Sequence, residues 1–174
     1  MKNNVIWITK TAVMLALLVV LQWLTKPFGQ FVTGSCVNAV LAVAVLMGGF
    51  WSGAAVALIS PFVAFLFGIG PQLLPIVPAI AAGNLVFVGA LHLICRFVPQ
   101  LFGKLLAWLC AAGLKFGVLY LLVVQFLCRV LPLKQPQIDT FTAMFSFPQL
   151  ITALIGGGIA LLIAPVLQKA LRKL

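Results

Sequence analysis

The chain has 174 residues, 64% of them hydrophobic and 7% charged, with a mean hydropathy of +1.28. Such a composition excludes a soluble domain and predicts an all-α integral membrane protein: a helix needs about 20 apolar residues to cross roughly 30 Å of hydrocarbon, so the length allows about six spans. Eleven Lys and Arg against one acid give a formal charge of +10, but the cations stand singly at the ends of apolar runs, which points to anionic lipid headgroups and topology control rather than nucleic acid.

The first predicted span covers about residues 5–24, with Trp7 and Trp23 near its ends, where indole rings favour the headgroup zone. "MKNNVIWITK" lacks a small-x-small cleavage site downstream and reads as a retained helix rather than a signal peptide. "TKPFGQFVTGS" then breaks the run, and a short second span, 36–48, ends at the glycine turn "GGFWSG". The third span, 51–67, carries Pro61, which predicts a kink. "GIGPQLLPIVP" leads into the fourth span at 79–95, followed by a fifth at 105–127 and a sixth at 150–167. Between the last two lies "CRVLPLKQPQIDT", the longest polar stretch, with the single acid Asp139.

Six spans place both termini on one side with the second-to-third and fourth-to-fifth connections. That side collects Lys2, Arg96, Lys104, Lys169, Arg172 and Lys173, with Lys10 just inside the first helix; the other collects Lys26, Arg129 and Lys134. The excess of cations predicts cytoplasmic termini in a prokaryotic plasma membrane.

Several chemistries are missing. "GKLL" at Gly103 lacks the upstream glycine and the hydroxyl of a phosphate-binding loop. No acid falls in any span, which argues against a self-powered ion-coupled carrier. "FWSG" around Ser52 has Phe50 where a GxSG nucleophile motif needs glycine, and Ser52 reads as a turn serine. His92 and Cys95 stand at helical spacing but offer too few ligands for a closed metal site. Cys36, Cys95, Cys110 and Cys128 show no paired spacing and read as small buried apolar residues. No catalytic residue, metal or cofactor is expected.

What remains is "LCAAGLKFGVLYLL", an oily run with one lysine in it. Lys115 stands eleven residues from Lys104 and fourteen from Arg129, so it lies roughly 16 Å from one end of its span and about 21 Å from the other. Snorkelling does not easily reach water from that depth, and an intramembrane ionisable group marks a candidate functional site facing a cavity or the bundle interior. Asn84 stands twelve residues from Arg96 and Gly157 twelve from Lys169, each about 18 Å from the same end. A lysine, an asparagine and the gap of "IGGGIA" at one level predict a polar pocket in which Lys115 meets a carboxylate or carbonyl of a ligand and Asn84 adds a donor and an acceptor. The alternative for Lys115 is a neutral interior amine, hydrogen-bonded to backbone or to Asn84. In the first span Ala12 and Ala16 lie four apart on one face, a spacing that lets another helix approach closely.

Together these features resemble the substrate-binding S component of energy-coupling factor (ECF) transporters, vitamin-uptake relatives of ABC importers. The likeness rests on chain size, six spans with cytoplasmic termini, the Ala12-xxx-Ala16 motif, a polar first connection and the run "VNAVLAVAVLMGGFWSGAAVALISPFVAFLFGIGPQ". It implies that Ala12 and Ala16 face a transmembrane coupling subunit and that two partner ATPases supply the energy. It also implies a ligand site toward the outer side of the later helices, capped by the first connection, Lys26 to Ser35. The aromatic and acidic side chains of thiamine-binding members have no counterparts here, so a neutral or anionic vitamin is the expected ligand. The rival readings are a structural or assembly subunit without a ligand and an independent small carrier.

Overall fold

A computed structural model of the protein describes residues 2–98 and 100–171. Arg172 and Lys173, counted above toward the cytoplasmic charge, lie outside them. Among the described residues every regular element is helical, and four helical stretches are long and apolar enough to cross a membrane.

Helix α1, Lys2–Thr25, runs into one 3₁₀ turn, Lys26–Phe28, and then into α2, Gly29–Leu66. The segment expected as a connection is therefore mostly helix, and only the Lys26–Phe28 turn, closed by Gly29 at φ +81°, redirects the chain. Thr33 Oγ1 donates to the Thr25 carbonyl at 2.9 Å, which puts the start of α2 beside the end of α1.

Helix α2 is two arms. Gly49 at φ 77°, ψ −177° interrupts it, and a Cβ built at Gly53 would collide with Cβ of Val45, eight residues earlier. Eight residues of continuous helix span about 12 Å, so this approach requires the chain to fold back at Gly49. The first arm occupies the middle of the bundle, with Val40 to Val45 all buried, as expected for a helix that is apolar on every side. In the second arm Pro61 sits inside the helix without leaving helical dihedrals, so Gly49, not Pro61, is the break in α2.

Helix α3, Ile76–Phe97, starts after Pro75; Pro78 falls in its first turn, where backbone N–H groups have no helical partner. Helix α4, Leu101–Leu119, widens into a π-helical stretch, Tyr120–Leu127, and closes with the single turn α5, Cys128–Val130. The polar stretch around Asp139 is not a loop. Gln137 Oε1 accepts the Lys134 N–H at 3.0 Å and starts α6, Gln135–Phe145, whose Phe141 and Phe145 pack on Ile76, Leu119 and Val123. Helix α7, Phe147–Leu171, buries Thr152, Ala153, Gly156, Gly157, Ala160 and Ala164 at spacings of three and four. This small-residue stripe lets α7 lie directly on the first arm of α2, since a Cβ at Gly156 would strike the Ser35 carbonyl and the Ala39 nitrogen.

The bundle has two distinguishable ends. At one, Thr11 bonds Ser52 at 2.9 Å, Gln168 reaches the Leu46 carbonyl at 3.2 Å and Phe50 lies against His92. Ser52 is thus a buried helical residue bonded to α1, not a turn serine. At the other end, Lys26 approaches the loop at Gly68, and Gln30 Nε2 donates to the Met144 carbonyl at 2.6 Å.

Candidate functional site

Lys115 is carried to the bundle interior by α4, and its side chain is 3% exposed. Its Nζ donates to Asn84 Oδ1 on α3 and to Asn38 Oδ1 on the first arm of α2, each at 2.6 Å. It also lies 5.6 Å from the centroid of the Phe87 ring, a cation–π distance. Two amide oxygens and an aromatic face thus surround an amine for which the chain supplies no carboxylate: the one acid, Asp139, is exposed on α6 and bonded to Gln135 at 2.9 Å.

Asn38 is fixed in turn. Its Nδ2 donates to the Gly34 carbonyl at 2.9 Å and approaches Thr152 Oγ1 of α7 at 3.4 Å, so the cluster ties α2, α3, α4 and α7 together. The depth argument located Lys115 and Asn84 correctly but passed over Asn38. A second span starting near residue 36 would put Asn38 at a membrane surface; α2 starts at Gly29 and puts it about 14 Å inside.

Gly157 does not join them. A Cβ there would run into the indole of Trp108, whose Nε1 donates to the Leu154 carbonyl at 2.9 Å, so Gly157 makes room for Trp108 rather than for a ligand. Ala12 and Ala16 both lie on the exposed face of α1, pointing away from the bundle.

Lys115, Asn38 and Asn84 form the floor of a cavity of about 220 Å³. Its walls include Gln22 of α1, Thr33 of α2, Ser60 and Pro61 of the second arm, and Phe145 of α6. The mouth is bordered by Lys26, Gly70 and Gln149, so the cavity opens at the end of the bundle that holds the Lys26–Phe28 turn. Most of the lining is apolar; the polar groups converge from several helices, as in small-molecule sites. Two of them are orphans: Gln22 Oε1 and Ser60 Oγ are buried and find no hydrogen-bond partner. Buried polar atoms are nearly always satisfied, by protein or by something bound.

Known proteins do not identify this arrangement. No family model, curated protein or solved structure matches the chain. What the site can do must come from its geometry. It offers hydrogen-bond donors at the floor and a lysine at the mouth, a set better suited to a neutral or anionic molecule than to a cation.

Proposed function

We propose that the chain is the S component of an ECF-type importer: a six-span protein of the prokaryotic plasma membrane, with cytoplasmic termini, that takes a small neutral or anionic vitamin from outside. A transmembrane coupling subunit and two ATPases then drive its release inward. The observation that carries this reading is the cavity with Lys115 at its floor and its mouth at the end expected to face outward. The first connection supplies Lys26 and Thr33 to the lining, in keeping with the capping segment that the resemblance implies. Counting the two arms of α2 separately makes six helices of crossing length, and the exposed Ala12 and Ala16 leave a flat face on α1 for the coupling subunit.

The test is mass spectrometry on the tagged protein, gently purified from its own host, scoring subunits and small molecules together. Co-elution of one coupling subunit, two ATPases and one small neutral or acidic metabolite is the expected result. A chain recovered alone and empty would overturn the reading in favour of a packing subunit, in which Lys115 is an interior amine satisfied by Asn38 and Asn84. Uptake by vesicles that contain this chain alone would instead favour the independent carrier.

A further inference from the structure

The cavity carries a cation at each end. At the floor, Lys115 Nζ gives hydrogen bonds to Asn38 and Asn84, and an ammonium has three N–H groups, so one remains for whatever occupies the space that Lys115 lines. At the mouth, Lys26 reaches from the turn after α1 to the end of the second arm of α2, where its Nζ stands 3.6 Å from the Cβ position of Gly68. The last carbonyls of that arm favour a cation there. Ile69, Gly70 and Pro71 of the same loop line the cavity, so the Lys26 ammonium lies along its rim. The Thr33–Thr25 hydrogen bond sets the two helix ends level, Lys26 follows Thr25 directly and Asn38 stands five residues below Thr33, which separates Lys26 from Asn38 by about 8 Å in depth.

Neither cation has an acid of the chain to meet. No acid lines the cavity, and the single one in the sequence, Asp139, is bonded to Gln135 on α6. A carboxylate seated on Lys115 gives a neutral pair, which is the condition for holding either charge away from water, but it leaves Lys26 unanswered. A molecule with a second acid answers both. Between the two levels the lining is largely apolar, with Val37, Pro61, Ala64, Val77 and Ile80, which suits a hydrocarbon linker. From this pattern we propose that the ligand is a dicarboxylate bound lengthwise, with the inner acid on Lys115, the outer acid on Lys26 and a short apolar linker between them. Lys115 supplies the buried contact, and Lys26 selects for the second acid. The proposal rests on the binding role given to this cavity above and extends it to a ligand class.

Calorimetric titration of the purified full-length chain tests this with succinate, glutarate and adipate against butanoate, pentanoate and hexanoate, the monoacids of matching length. The best of the diacids should bind at least five-fold more tightly than its matched monoacid. Lys26→Gln should bring that diacid down to the level of the monoacid and leave the monoacid within two-fold, while Lys115→Met should weaken both. Arg129→Gln is the control for a general field of cations, because Arg129 is exposed at the same end of the bundle and does not line the cavity; it should leave the diacid advantage in place. Absence of diacid binding, equal affinity for the matched monoacid, an advantage that survives Lys26→Gln, or one lost equally in Arg129→Gln would overturn the proposal. The probe ratio on the unmodified chain decides the ligand class even if Lys115→Met fails to fold. Because the titration needs no other subunit, a chain that prefers the diacid but co-purifies with no ATPase would sink the importer reading and keep this one. Co-purified ATPases with no diacid preference would do the reverse.

Discussion

Asn38 and Asn84 each hold Lys115 by one hydrogen bond of 2.6 Å, so removing an amide and removing the amine have different consequences. Asn38→Ala leaves the buried amine short of an acceptor and should lower stability by about 1–3 kcal/mol. Replacing all three groups at once, as Lys115→Met with Asn38→Leu and Asn84→Leu, removes every polar atom that needs a partner and should recover most of that loss. Thermal unfolding in detergent checks the pair; a triple variant less stable than Asn38→Ala would mean that the cluster stabilises the bundle beyond satisfying itself. At this scale the sequence revealed the amine and one of its partners, because a lone polar residue deep in an apolar run is conspicuous. Gln22 and Ser60 were not conspicuous. A glutamine near a helix end ordinarily reaches water, and a serine beside a proline is common in membrane helices; only their burial in the folded chain makes them unusual.

The helices themselves depend on glycines in two different ways. Gly49 has a backbone conformation essentially confined to glycine, so Gly49→Ala should cost about 1–3 kcal/mol and loosen the antiparallel pairing of the two arms. Gly156 is an ordinary helical residue but touches the backbone of α2, and Gly156→Leu should separate α7 from α2 altogether. Gly113, with open space around its Cβ position, is the control: Gly113→Ala should be neutral or slightly stabilising. Proteolysis rates in detergent rank the three, and equal sensitivity would refute the assignment of separate roles. The long apolar helical stretches were legible from hydropathy, and the reversal at Gly49 from its glycine pair. Helix α6 was not, because its apolar residues are few and its start carries Pro136, a composition that also fits a loop. The placement of Gly157 failed for a geometric reason. Counting residues gives depth along a helix but not which neighbour its face meets, and here that neighbour is Trp108.

For the molecule as a whole, the two ends of the bundle carry opposite expectations about the membrane. In a cysteine-free background, Thr140→Cys, on the exposed surface of α6, should react with an impermeant maleimide on intact cells, and Lys104→Cys only after permeabilisation. The inverse pattern would reverse the orientation and turn the cavity mouth toward the cytoplasm. Ala12→Trp together with Ala16→Trp should abolish uptake while leaving ligand affinity within about two-fold, since both positions are exposed and far from the Lys115 floor; loss of binding in a well-folded variant would contradict a docking role. Trp108 has a use of its own. The other three tryptophans, Trp7, Trp23 and Trp51, are all exposed on the outside of the bundle, whereas Trp108 is seated between α4 and α7 with its indole N–H on the Leu154 carbonyl. Converting those three to phenylalanine leaves a single fluorophore on the seam next to the lysine cluster. Its emission would then register, in real time and without a label, any parting of α4 from α7.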